Sequence, residues 1–169
     1  HHGVPDVPFM DPGFYKDQFQ VEGRRVILTF GLLGPNKGIE FGIDALARIV
    51  PEFPDAVYIV LGVTHPELRR RVGEQYRVSL ERRARERGVQ DHLIFHNRYV
   101  TLEELCEFLL AADIYLTPHR SKEQIVSGTL AYAVGCGKAC VSTPYWYAEE
   151  VLAEERGRVF PFGDDDALA

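Results

Sequence analysis

A parallel α/β sheet of about six strands with helices on both faces is the fold this sequence predicts. Three observations carry it. From Arg25 onward, short apolar runs alternate with helical patterns. The runs are apolar almost end to end, which suits strands covered on both sides. Residues Asp113 to Pro144 then read as a buried strand, a polar loop, a small-residue helix, a glycine turn and a second buried strand. That order is one right-handed β-α-β unit.

Each element has its own signal. Residues 1–24 are polar and rich in Pro and Gly, and read as a linker or irregular arm ahead of a domain over 25–169. Arg25–Phe30 is the first strand. Gly31 to Asn36 is a loop, and Ile39, Ile43, Leu46, Ile49 and Val50 recur at helical spacing over about Lys37 to Val50. Pro51 and Pro54 stop that helix. Ala56–Val63 is the second strand, and His65–Arg87 reads as one long charged helix closed by Gly88. Leu93–Asn97 is the third strand. Thr101-Leu102-Glu103-Glu104 forms a capping box, which starts a helix running to about Ala112. Ile114–Thr117, Ala139–Thr143 and Arg158–Pro161 are the remaining strands, with a short helix over Tyr147–Glu154.

The bulk numbers narrow the function. At 169 residues the chain is one ordinary domain. A net charge of -6 argues against a general nucleic-acid surface, and the arginines between Arg69 and Arg87 alternate with glutamates as on a solvated helix. Cys106, Cys136 and Cys140 lack C-x-x-C spacing and read as buried reduced thiols. No apolar run reaches the roughly 18 residues of a membrane span, and no metal-ligand pattern stands out. Residues 1 and 169 look like the limits of an excised domain.

The chemistry gathers in loops at the carboxyl ends of the strands. The first strand leads into Gly31-Leu32-Leu33-Gly34-Pro35-Asn36-Lys37-Gly38. Gly31 and Gly34 allow close approach of a phosphate or sugar, and Lys37 places a point charge nearby. This is neither a G-x-G-x-x-G turn nor a P-loop. Asn97 and Arg98 follow the third strand. His119, Arg120, Lys122 and Glu123 follow the fourth, just before a helix that begins near Ser127-Gly128-Thr129. A helix start presents unpaired N–H groups and a positive dipole end, and so suits a phosphate.

In order, the chain reads H-G-V-P-D, F-G-x-L-x-x-x-K-G, D-I-Y-L-T-P, and S-G-T-L-A-Y-A-x-x-x-G-K-A-x-x-S-T-P. Together these resemble the C-terminal, Rossmann-like nucleotide-sugar-binding domain of retaining GT-B glycosyltransferases, in their group-1, glycogen-synthase-like family. The resemblance implies transfer of a sugar from a nucleoside-diphosphate sugar to an acceptor. It implies a partner N-terminal domain carrying the acceptor site, no cofactor or metal beyond the donor substrate, and a cytoplasmic location, peripheral to a membrane through that other domain. His2-Gly3-Val4-Pro5-Asp6 matches the crossing between the two domains. Lys37 matches the family's diphosphate lysine, whereas Leu32 stands where the family has an arginine. Gln124 and Tyr132 stand at the family's two glutamates. The expected site is therefore Lys37 and Glu123 as catalytic groups, Glu123 orienting the sugar from one residue out of register. Gly31, Gly34, Asn97, Arg98, Arg120, Ser127, Gly128 and Thr129 complete the donor contacts. A catalytically inactive sugar-nucleotide-binding or scaffolding domain, and another α/β nucleotide-sugar enzyme such as an epimerase or phosphorylase-like protein, are the other readings.

Overall fold

The computed structural model describes residues 3–7 and 11–169. Six parallel strands form one sheet: β1 (Arg25–Phe30), β2 (Ala56–Leu61), β3 (Leu93–His96), β4 (Ile114–Thr117), β5 (Ala139–Ser142) and β6 (Arg158–Val159). Their order across the sheet is β3-β2-β1-β4-β5-β6. The chain therefore builds outward from β1 in one direction and then, from β4, in the other. The strand order reverses between β1 and β4, and open α/β sheets bind ligands at the carboxyl end of such a reversal.

Helices cover both faces. On one, α5 (Leu102–Ala111), α6 (Gly128–Gly135) and α7 (Trp146–Val151) bury Phe108, Leu109, Leu130 and Ala148 against Leu28, Ile59 and Tyr115. On the other, α2 (Ile39–Ile49) and α4 (Gln75–Glu86) bury Ile43, Leu46, Leu80 and Ala84 against Tyr58, Val60 and Leu116. Alternate residues of β1 to β5 thus feed two separate cores, as the continuous apolar runs require. Thr101 caps α5 as its capping box predicts, its hydroxyl accepting from the Glu104 N–H at 3.2 Å.

Three expectations are corrected. The long helix over 65–87 is two helices, α3 (Pro66–Val72) and α4, broken at Gly73, which has a positive φ of 62°. Its arginines are not all on a solvated face. Arg83 and Arg87 converge on Asp44 of α2, itself only 5% exposed, and Arg87 Nε donates to it at 2.8 Å. The arm is not wholly irregular either. Within it, α1 (Gly13–Lys16) packs on α5, Val21 is buried, and Lys16 reaches Asp113 at 2.7 Å and the Arg24 carbonyl at 2.7 Å. A four-residue helix leaves no periodicity to read. Of the crossing segment, His2 lies outside the described residues. Val4 sits over the α carbon of Gly135 at the end of α6, leaving a side chain there no room.

Candidate functional site

The loops after β1 and β4 meet at the reversal point. The β1 loop ends in a 3-10 turn, Pro35–Lys37, and α2 starts at Ile39, two residues later than the sequence suggests. The Arg120 N–H donates to the Asn36 carbonyl at 3.0 Å, tying the two loops together. Between them lies a cavity of about 530 Å³ whose wall includes Gly31, Lys37, His119, Gln124 and Thr129.

Lys37 and the start of α6 converge there despite their separation in sequence. A β carbon built on Gly31 would lie 3.3 Å from Lys37 Nζ and 3.3 Å from Thr129 Cγ2. Gly31 has φ 123°, so both its conformation and the crowding favour glycine. Gly34, by contrast, is extended at φ -173°, and a β carbon there would meet nothing nearer than Leu68 at 3.8 Å, so any residue fits its backbone. Ser127 caps α6, its hydroxyl accepting from the Leu130 N–H at 3.3 Å. By helix geometry the N–H groups of Gly128 and Thr129 have no partner within α6.

The charge balance in the cavity is one-sided. Among the described residues, Lys37 forms no ion pair with a carboxylate. Its ammonium lies 3.5 Å from His119 Nε2, and burial holds its pKa below the usual lysine value. His119 is 3% exposed, and its ring lies against Tyr145 with centroids 5.0 Å apart. The Gln124 amide nitrogen donates to the Val126 carbonyl at 3.2 Å, which turns its oxygen toward His119 Nδ1. Nδ1 therefore carries a proton and donates it, leaving Nε2 as the lone pair that faces Lys37. Burial first, then the Lys37 charge, push the His119 imidazole down to about 4, against the Gln124 hydrogen bond.

This buried neutral imidazole has a consequence for stability. Its folded pKa of about 4 lies below the ordinary 6.5, so the unfolded chain binds the proton more readily. Stability from this group is intact above pH 6.5 and declines as pH falls through that value, levelling off below about 4. The total loss should be about 3 kcal/mol. Urea unfolding from pH 7.5 to 4 should show that decline in the wild type and a flatter profile in His119→Gln.

The remaining expected residues are placed as follows. Arg98 pairs with Glu104 and lines an adjoining cavity of about 200 Å³ that shares Gly31 and Leu32 with the first. Asn97 is exposed. Arg120 is corrected: its guanidinium pairs with Glu40 and stacks over Phe41, 5.1 Å from the ring centroid, so α2 draws it away from the cavity. Glu123 is corrected as well. It is exposed on a turn, while its neighbour Gln124 faces the cavity. The one-residue shift of register does not occur, because the Gln124 carbonyl accepts from the Tyr147 N–H at 3.2 Å and the Lys122 carbonyl from the Trp146 N–H at 3.1 Å, pinning the loop. Tyr132 packs on the core. The sequence places His119 only in the polar loop after the fourth strand. No local signal marks it as a buried wall of the site, because its burial depends on the contact with Tyr145.

A doubly wound parallel sheet with a lysine and a helix start at one cleft, at its strand reversal, is the arrangement in which open α/β folds bind ligands. Its family follows from comparison with known proteins. The chain belongs to the glycosyl transferases group 1 family, whose model matches residues 14–169. It is 28% identical over 170 residues to a phosphatidyl-myo-inositol mannosyltransferase of Mycolicibacterium smegmatis, covering 99% of this chain and 40% of that protein. It is 27% identical over 159 residues to the GDP-mannose-dependent alpha-(1-6)-phosphatidylinositol monomannoside mannosyltransferase of the same organism, covering 90% and 39%. The chain thus spans about two fifths of the length of these curated relatives. Among solved structures, HepE of Anabaena in complex with UDP and glucose superposes with a TM-score of 0.80 at 23% identity, over 94% of this chain and 40% of that one. The C-terminal domain of a group 1 glycosyl transferase, LpcC of Francisella tularensis, gives 0.78 at 19% identity, over 98% and 80%. These likenesses show the GT-B half-fold that the sequence predicts.

Proposed function

We propose that this domain binds the donor of a retaining glycosyl transfer, a nucleoside-diphosphate sugar, with the diphosphate between Lys37 and the start of α6. One observation carries the reading. A lysine ammonium drawn out of water, with no carboxylate partner among the described residues, shares one cleft with a helix N-terminus. An uncompensated cation in such a place is costly until an anion arrives. As the bond to the sugar breaks, charge develops on the diphosphate, and Lys37 with the N–H groups of Gly128 and Thr129 would stabilise it electrostatically. That chemistry calls on no metal, cofactor or side-chain nucleophile of this domain. The adjoining cavity beside Arg98 and Tyr99 would hold the rest of the nucleotide. The acceptor would be bound by a second, N-terminal domain across the cleft, and the whole enzyme would work in the cytoplasm. No described helix is long and apolar enough to cross a membrane.

Calorimetric titration with UDP-glucose and GDP-mannose tests this reading. Saturable binding of one of them supports it, and failure of a folded chain to bind either overturns it. Within such binding, the exposed Glu123 should be dispensable: Glu123→Gln is expected to alter affinity by less than about twofold, as for a surface substitution. A tenfold loss would return Glu123 to the site.

A further inference from the structure

The cavity is lined by Lys37, which pairs with no carboxylate among the described residues, and, where the family has an arginine, by the apolar Leu32. That leaves a diphosphate one permanent cation short. His119 stands opposite with its free lone pair turned toward Lys37, 3.5 Å away, and its other nitrogen already committed to Gln124. We propose that His119 is a direct donor contact: a diphosphate oxygen settles between Lys37 and His119, and Nε2 takes up a proton and becomes the second cation. This rests on the donor-site reading above and adds a proton to it.

The geometry favours the step in three ways. First, the existing tautomer needs only one proton, at the nitrogen that faces the cavity, so no ring flip is required. Second, the Gln124 oxygen accepts from Nδ1–H in both forms of the ring and favours the charged one. Third, the ring is braced by Tyr145, and the His119 carbonyl accepts from the Thr143 hydroxyl at 2.7 Å, so Nε2 is held in place. In the free site the facing Lys37 charge and burial keep the ring neutral. A bound diphosphate reverses the sign of that local field and raises the ring's pKa.

Other groups around the ring do not substitute for it. Tyr145, packed on its face, is neutral, and burial raises its pKa. Arg120, its chain neighbour, is turned to Glu40. His65 also lines the cavity but is exposed, and its Nδ1 already accepts the Glu67 N–H at 3.3 Å as the cap of α3.

The sign follows from linkage. A ring whose pKa is higher in the complex than in the free protein strengthens binding below the complex's pKa, and that gain fades as pH rises through it. Affinity for a diphosphate-linked sugar, which does not itself titrate in this range, should therefore tighten roughly threefold to tenfold from pH 7.5 to 5.5. The test is calorimetric titration of the wild-type chain and His119→Gln with UDP-glucose and GDP-mannose, in two buffers of different ionisation enthalpy. The wild type should take up about half a proton or more per ligand near pH 6, and His119→Gln should take up almost none. Imidazole nitrogen shifts of the wild type, read by NMR with and without ligand, give the same answer without a variant: Nε2 of His119 should become protonated on binding. Binding without proton uptake, or uptake retained in folded His119→Gln, overturns the proposal and leaves the donor site standing. Absence of any binding to the wild type overturns both.

Discussion

Gly38→Ala is expected to destabilise the chain by about 3 kcal/mol or more. Gly38 has φ 63°, a left-handed conformation that costs an alanine about 1–2 kcal/mol. Its new β carbon would fall 1.9 Å from the Pro118 carbonyl oxygen. That oxygen cannot retreat cheaply. The next residues are tied on both sides, by the Thr143 hydroxyl to the His119 carbonyl and by the Arg120 N–H to Asn36. Overpacking against a held backbone adds a further 1–3 kcal/mol or so. For a chain of this size the melting temperature should drop by roughly 6–12 °C. Gly34→Ala is the matched control: its backbone is extended and the nearest atom lies 3.8 Å from the new carbon. Equal losses in the two variants would show that the loops after β1 and β4 are not in register here.

Lys37→Ala is expected to weaken binding of the nucleoside-diphosphate sugar by about 1–3 kcal/mol, roughly five- to 150-fold. The loss is that of a charge-assisted hydrogen bond to an anion. Stability should move the other way or not at all. The ammonium is desolvated and no carboxylate among the described residues offsets it, so removing it relieves a burial cost in the free protein. A melting temperature at or above the wild-type value together with weaker binding is the signature of a residue placed for its ligand. Calorimetry and a thermal melt on the same sample measure both. Unchanged affinity in the folded variant would remove Lys37 from the site.

Much of the fold was legible because period and punctuation agree. The apolar runs gave all six strands, and the capping box at Thr101 gave the start of α5. The misreadings share one cause: short-range signals do not report who sits across space. Arg83 and Arg87 look solvated until Asp44 of α2 appears beneath them. Arg120 looks like a phosphate ligand until Glu40 and Phe41 claim it. Glu123 has the right chemistry for a sugar contact, but the backbone bonds to Trp146 and Tyr147 fix which face of the loop points inward. That Lys37 and Ser127-Gly128-Thr129 reach one cleft follows from strand order, which brings the loops after β1 and β4 side by side. His119 was visible as a residue but not as a buried one, because its burial depends on Tyr145, whose position in the chain gives no hint of the contact.

The position of a bound diphosphate tests the account most directly. A crystal structure of this chain soaked with UDP-glucose or GDP-mannose should place the diphosphate oxygens within about 3 Å of Lys37 Nζ and of the Gly128 or Thr129 backbone nitrogen. One of those oxygens should also lie against His119 Nε2. A diphosphate seated elsewhere on the chain, with Lys37 still facing His119 alone, would contradict the account.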